Sequence, residues 1–363
     1  MKRTKIIATI GPASEDDKIL KQLLVNGVDL CRFNLKHNTL GWHENCIKKV
    51  VEISKEIEKE IGIIVDLPKK EILPDWKEVD FFALSYLTSS QDVTELKELV
   101  KSKGLTSGVI AKIENKQALD DLENIVEVSD GIMIARGDLG IAVPLEELAY
   151  WQKKIIDLCR LKNKPVIVAT QMLLSMVSNP SPTRAEATDV ANAVFDGADA
   201  LMLSEETAIG KYGEKAVEEM SRIIVFCEDK NDVKQIIKTR KTPTEILISA
   251  AANIINDPGS GHIKGAIIFS QSGSSARILS AYRLKIPLVV ISDNIETCHG
   301  LKLTYGVTPY YRQFDNKQFM IEGPIFEELV QKGLFKSGDQ IIAIHGNNWI
   351  NMGTTSDISL KTL

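Results

Sequence analysis

Three short polar clusters, each closing an apolar run, hold the residues of this chain best suited to chemistry. They read VIAKIEN from Val109, GIMIARGDLG from Gly131 and PVIVATQM from Pro165. Lys112 and Glu114 lie two apart on a strand and so share one face. Arg136 and Asp138 follow the next apolar run, and Thr170 follows a third. A cation, two carboxylates and a hydroxyl gathered at one point suit a divalent metal and an anionic substrate. Gly137 lets backbone N–H groups approach an anion at a helix start. Each cluster also has a plainer reading: an ion pair, a β–α turn and a threonine N-cap. A fourth row, Arg32, Asn34 and Lys36 in DLCRFNLKHN, alternates along a strand, so all three share a face.

Parallel strands place such groups at their carboxyl ends, and a closed barrel gathers those ends around one mouth. The first two thirds of the chain supplies the strands. Candidates are Lys5–Ile10, Val28–Asn34, Gly62–Leu67, Val79–Leu84, Gly108–Ile113, Gly131–Ala135, Pro165–Ala169 and Ala200–Leu203. Helical stripes alternate with them, as in Glu15–Asn26 with Ile19, Leu20, Leu23 and Leu24, and likewise in Gly41–Ile61 and Leu145–Asn163. The fold expected is α/β, a (β/α)8 barrel followed by a smaller α/β domain. One connection is too short: only PKKEILPDWKE separates Leu67 from Val79, and Pro68 and Pro74 forbid a helix there. The barrel is expected over residues 1–228, a boundary segment over 229–241, and the second domain over 242–363. In that domain, strands at Gly265–Phe269, Leu288–Ile291 and Gln340–Ile344 alternate with helices near Glu245–Asn256, Ser274–Leu284, Glu296–Tyr305 and Ile325–Lys332. This suggests a small doubly wound sheet.

The bulk properties narrow the class. The chain has 363 residues, 44% hydrophobic, with a net charge of -5. Mild acidity argues against a nucleic-acid partner. Five cysteines form no CxxC pair, which favours reduced thiols and a cytoplasmic setting. Gly11-Pro12 interrupts the first apolar run too early for a signal peptide, and no stretch reads as a membrane span. The five histidines show no metal-ligand spacing.

The ordered motifs TKIIATIGPAS, AKIEN, DGIMIARGDLG, KPVIVATQML, NPSPTRAEATDVANAVFDGADALMLS and ETAIGKYGEKAV resemble the pyruvate kinase family. The resemblance runs from Thr4 to the C-terminus. It implies Mg2+ or Mn2+ on Glu114 and Asp138, with Lys112 stabilising charge on the phosphoryl group and on the enolate oxygen. Ala135, Arg136, Gly137, Asp138 and Thr170 would bind substrate, with Thr170 over the methylene carbon. Arg32 would bind phosphate, and Asn34 and Asp66 would be potassium ligands. His37 would lie near nucleotide phosphates. Between Leu67 and Val79 the family carries an inserted lid domain that this chain lacks. Three departures cluster nearby: Lys36 for a Ser ligand, Leu67 for a Thr ligand, and Leu73 for a nucleotide-phosphate Arg, TKGPEIR having become LPKKEIL. The first two leave potassium poorly held. Lys36 reads either as a fixed ammonium in its place or as a solvated rim lysine. Glu205 stands where the family has Gly.

In the last domain Ser270, Ser272, Gly273, Ser274 and Ser275 precede a helix. They resemble a sugar-phosphate effector loop and read equally as a serine-rich N-cap. GNNWINMG near the C-terminus decides nothing between the two. The leading function is Mg2+-dependent phosphoryl transfer between phosphoenolpyruvate and ADP, impaired by loss of the lid, with weak ADP and ATP binding. The alternatives are nucleotide-independent enolisation, decarboxylation or C–C cleavage of pyruvate or another 2-oxo acid, and a non-catalytic phosphoenolpyruvate-sensing or partner subunit. The resemblance implies a homotetramer.

Overall fold

The computed structural model describes residues 2–230, 240–313, 322–346 and 355–363. Eight parallel strands close into a barrel in chain order. They are β1 (Lys5–Thr9), β2 (Leu30–Asn34), β3 (Gly62–Leu67), β4 (Phe81–Leu84), β5 (Gly108–Ile113), β6 (Gly131–Ala135), β7 (Val166–Ala169) and β8 (Ala200–Leu203). Because successive side chains alternate, each strand divides between two apolar layers. Ile7, Leu30, Ile64, Phe81, Ile110, Met133, Ile167 and Met202 pack together as the barrel interior. Their neighbours Ile6, Cys31, Ile63, Phe82, Val109, Ile132, Val168 and Leu201 pack with the helices in the outer layer. Strands covered on both faces must be apolar almost throughout, and these are.

Helices fill the crossovers as their stripes predict. Asp17–Asn26 buries Leu20, Leu23 and Leu24, and its N-cap Asp16 accepts the N–H groups of Lys18 and Ile19. Arg184–Asp196 begins with a reciprocal Thr183/Glu186 capping box, which satisfies two otherwise orphaned donors.

Between β3 and β4 the chain makes only a 3-10 turn, Lys70–Ile72, yet the register from Ile64↔Phe81 to Leu67↔Leu84 is unbroken. The connector replaces the missing helix with single side chains. Leu73 and Val79 are buried in the outer core and Trp76 packs against it. Lys103, at the end of helix Ser90–Ser102, ties the segment down: its ammonium donates to the Leu73 carbonyl at 2.9 Å and pairs with Asp75 at 2.7 Å. Lys70 pairs with Glu95 of the same helix.

The chain divides into two compact units, one built on Lys2–Lys234 and one on Gln235–Leu301 with Gly306–Leu363. The expected boundary 229–241 falls mostly outside the described residues, as does GNNWINMG. The second unit contains β9 (Ile263–Phe269), β10 (Leu288–Ser292), β11 (Val307–Tyr311), β12 (Gln340–His345) and β13 (Asp357–Thr362), in the order β11-β10-β9-β12-β13. Its sheet is mixed rather than plainly doubly wound, because β13 runs antiparallel to β12. The sequence pattern misses β11 and β13, and both are edge strands. Pro309 interrupts the first, which only an edge tolerates, and the second is half-exposed and lacks an apolar run. No described helix is long and apolar enough to cross a membrane. All five cysteines are buried and none is in a disulfide.

Leu73 is 4% exposed, so an arginine there would bury a charge. Leu73→Arg is expected to cost more than about 2 kcal/mol of stability, read as a fall in the urea midpoint.

Candidate active site

The barrel mouth is organised around one carboxylate. Asp66, one step past the inward-facing Ile64 on β3, is 1% exposed. Arg32 on β2 donates to its Oδ2 through Nε at 3.0 Å and Nη2 at 2.6 Å. The third guanidinium nitrogen, Nη1, donates to Thr9 Oγ1 at 3.0 Å. Lys112 on β5 places Nζ 3.1 Å from the same carboxylate. Ser85, just past β4, donates from Oγ to Asp66 Oδ1 at 3.0 Å and accepts from Lys112 at 2.6 Å. Burial alone would raise the Asp66 pKa, but the charges and hydrogen bonds of Lys112 and Arg32 outweigh it and hold the carboxyl below its ordinary range.

Lys112 also meets Glu114, at 2.8 Å from Oε1. The other oxygen, Oε2, accepts the Tyr86 N–H at 2.7 Å. The ammonium is thus held between two carboxylates and a hydroxyl. Asp138 is exposed in the first turn of helix Arg136–Ala142. No cluster of three or more His, Cys, Asp or Glu side chains suited to a metal occurs among the described residues. Glu114 and Asp138 nevertheless place two carboxylates, each a possible hard oxygen ligand, after adjacent strands. That number fits Mg2+, which takes one or two carboxylates and completes its shell with water and substrate oxygens.

On the opposite rim, Thr170 and Gln171 have φ of +69° and +55°. A β-branched residue in the left-handed region is a genuine outlier and costs on the order of 1–3 kcal/mol. Two contacts hold it. Arg136 Nη2 donates to the Thr170 carbonyl at 2.8 Å, and the Gly137 N–H donates to Thr170 Oγ1 at 2.8 Å. Thr170 is therefore no helix N-cap; its hydroxyl joins the ends of β6 and β7. Ala135 closes β6 and is buried.

The structure corrects three expectations. Arg136 is not presented to a ligand: its guanidinium is taken up by Asp189 and the Thr170 carbonyl, each at 2.8 Å, and it also reaches Gln152 and Met172. It positions the Thr170 turn. The Leu67 side chain offers nothing to a cation at the mouth, because alternation turns it into the outer apolar layer. A hydroxyl there would face hydrocarbon. Lys36 does not reach Asp66, whose oxygens are committed to Arg32, Lys112 and Ser85. Its ammonium instead hydrogen-bonds the Tyr86 hydroxyl, and its pKa is raised, first by that bond and further by the Asp138 and Glu114 charges. Asn34 Oδ1 accepts the Lys36 N–H at 3.2 Å, capping the turn after β2. His37 is exposed beside them.

Sequence reasoning missed Ser85 and Tyr86. A signal was present: Phe81, Ala83 and Ser85 alternate on one face, with the hydroxyl one step beyond the apolar pair. Glu206, fully buried, accepts the N–H groups of Leu173 at 3.0 Å and Ser204 at 2.7 Å, joining the turns after β7 and β8. Glu205, beside it, is exposed. The Ser204 hydroxyl is buried without a hydrogen-bond partner.

In the second unit, Gly273 caps helix Ser274–Ser280 at φ +73°. Its N–H donates to Ser270 Oγ at 3.0 Å, and the Ser274 N–H donates to Ser272 Oγ at 3.4 Å. Ser275 Oγ lies 2.8 Å from Thr355 Oγ1. The loop satisfies part of its own N–H set in the manner of a serine-rich cap.

Removing the Asp66 charge would leave Arg32 buried without its ion-pair partner and Lys112 with Glu114 alone. Asp66→Asn is expected to cost about 3–5 kcal/mol in denaturant unfolding. The folded pKa of Asp66 is depressed, so its contribution is fully present above the ordinary carboxyl value of about 3.9. It is lost as pH falls through the folded value. The acid limb of a stability–pH curve should therefore be shallower in Asp66→Asn than in wild type.

The described geometry agrees with what the chain is similar to. Residues 1–74 and 73–217 match the family model of the pyruvate kinase barrel domain, and residues 245–359 match that of the pyruvate kinase alpha/beta domain. Pyruvate kinase of Staphylococcus aureus (strain MRSA252) is 28% identical over a 465-position alignment covering 98% of this chain and 80% of the relative. That of Thermoplasma acidophilum is 29% identical over 456 positions, covering 99% of this chain and 82% of the relative. Alignments that long leave many positions of the relatives without a counterpart in 363 residues, and the barrel match breaks at residues 73–74, inside the short connector. The chain belongs to the pyruvate kinase family, in a form without the lid domain.

Proposed function

We propose that the chain is a pyruvate-kinase-type enzyme that acts on phosphoenolpyruvate at the carboxyl end of its barrel. The observation that carries this reading is Lys112, a buried side chain paired with Asp66 and Glu114 and hydrogen-bonded to Ser85. Such a fixed cation, buried at the barrel mouth, is placed to stabilise charge that develops on an enolate oxygen. Glu114 and Asp138 would hold the divalent cation, which would supply further positive charge to substrate oxygens. The Gly137 backbone and the Ala135–Asp138 turn receive the substrate carboxylate, and Arg32 adds positive charge beside the phosphoryl group. In the forward direction the P–O bond to the enol oxygen breaks with its electron pair on oxygen, and a terminal oxygen of ADP forms the new bond to phosphorus. The enolate carbon then takes a proton beside Thr170, giving pyruvate and ATP. With no lid to exclude water, water competes with ADP and transfer is slow.

A second reading is favoured by one observation, the burial of Leu73 in the connector where the resemblance expects a nucleotide-binding arginine. On that reading the same Lys112 and metal site serves nucleotide-independent enolisation, decarboxylation or C–C cleavage of a 2-oxo acid. The homo-oligomeric state implied by the family is a proposal on the same footing.

Assays with phosphoenolpyruvate or pyruvate, each with Mg2+ and with or without ADP, distinguish the readings. The expected result is ATP formation that Lys112→Met lowers by about a hundredfold or more. Deuterium exchange into pyruvate without nucleotide, in the absence of any ATP formation, would favour the second reading. Independently, Glu114→Gln should weaken Mn2+ binding in a paramagnetic-resonance titration by more than about tenfold, the loss that even an outer partner of a metal ligand typically causes.

A further inference from the structure

Lys36 and Tyr86 form a pair at the mouth that the reading above does not use. Lys36 follows β2 and is exposed. Its ammonium hydrogen-bonds the Tyr86 hydroxyl and lies 4.5 Å from the ring centroid. Tyr86 follows β4 and is 52% exposed, with φ +56°. A left-handed conformation is strained for a bulky residue, and here it is held by the N–H donated to Glu114 Oε2 at 2.7 Å. One residue thus fixes the carboxylate with its backbone and seats the ammonium with its side chain.

The charge on that ammonium differs from the others at the mouth. Arg32 and Lys112 each form an ion pair with Asp66, at 2.6 Å and 3.1 Å. The side chain that seats Lys36 is a neutral phenol. A ring and a hydroxyl hold an ammonium in position without cancelling its charge. Lys36 is therefore oriented but left able to take an incoming anion. A lysine ammonium binds a phosphoryl dianion as a compact point charge.

We propose that Lys36, seated on Tyr86, binds the phosphoryl group of phosphoenolpyruvate, with Tyr86 as its positioning residue. This rests on the reading that the site accepts a three-carbon acid beside Glu114 and Asp138, and it adds the residue that distinguishes a phosphorylated acid from its unphosphorylated analogue. Family resemblance does not supply it, since Lys36 stands at a departure from the family pattern.

The test is binding, not turnover, measured by calorimetry on the full chain with Mg2+ present. The probes are phosphoenolpyruvate and oxalate, which presents two carboxylate groups and no phosphoryl group. Lys36→Met should weaken phosphoenolpyruvate about tenfold, the worth of one charge-assisted contact, and change oxalate by less than about twofold. Tyr86→Phe keeps the ring and removes the hydroxyl, so it should give a smaller loss confined to phosphoenolpyruvate. Lys36→Arg should retain most of the affinity. Equal losses for the two probes, or none for either, overturn the proposal. A wild-type chain that binds phosphoenolpyruvate through Lys36 but makes no ATP would refute phosphoryl transfer to ADP and leave this inference standing. A chain that makes ATP while Lys36→Met binds both probes like wild type would do the reverse. Absence of phosphoenolpyruvate binding overturns both.

Discussion

The mouth of this barrel depends on Asp66 neutralising two cations at once. Arg32 and Lys112 enter from strands on either side of β3 and point into the same small volume. Without a shared anion they would repel each other and lose hydration together. Asp66 resolves this with one carboxylate, and Ser85 completes the hydrogen bonding that such a buried cluster needs. Buried charges are tolerated only when paired and hydrogen-bonded. Here the pairing fixes Lys112, and Lys112 in turn orients Glu114. A site cation and a candidate metal ligand therefore take their positions from a residue that contacts neither substrate nor metal in the proposed chemistry.

Backbone strain gathers around the same cluster. Asn38, Tyr86, Thr170 and Gln171 all take left-handed conformations, and all follow the carboxyl ends of barrel strands. Thr170 is held by Arg136 and Gly137, and Tyr86 by Glu114. Strain of this kind persists where the surroundings over-determine it, and it marks functional rims. Arg136 shows how resemblance can mislead about a role. The residue stands inside a substrate-binding motif, yet its guanidinium is spent on holding a neighbouring turn.

The short β3–β4 connector shows what a barrel requires of a crossover. The strands pair in register and the outer layer stays covered, because Leu73, Trp76 and Val79 fill the place of a helix face. Closing the fold in this way removes the arginine that the resemblance expects and leaves no lid. The half of the site proposed to take a three-carbon acid lies on other strands and is unaffected by that economy. The separation explains how a chain can keep the Lys112 cluster while the connector departs from the family pattern.

Eight strands, their carboxyl-end clusters and the family were legible in the sequence, because buried parallel strands are apolar runs and the polar residues that end them stand out. Glu114, Asp138 and Lys112 stood out for the same reason. The second sheet was read only in its interior. Its edge strands β11 and β13 lack the apolar run that burial on two faces enforces. The partners of each charge were decided by tertiary structure alone. Lys36 lies on Tyr86, Leu67 faces the helices rather than the mouth, and Arg136 reaches Asp189, because strand stagger and turn conformation determine which side chains meet. Residue type and spacing along one strand determine the face on which a group lies. The group it meets on that face depends on how neighbouring strands are set against each other, and no single stretch of sequence contains that information.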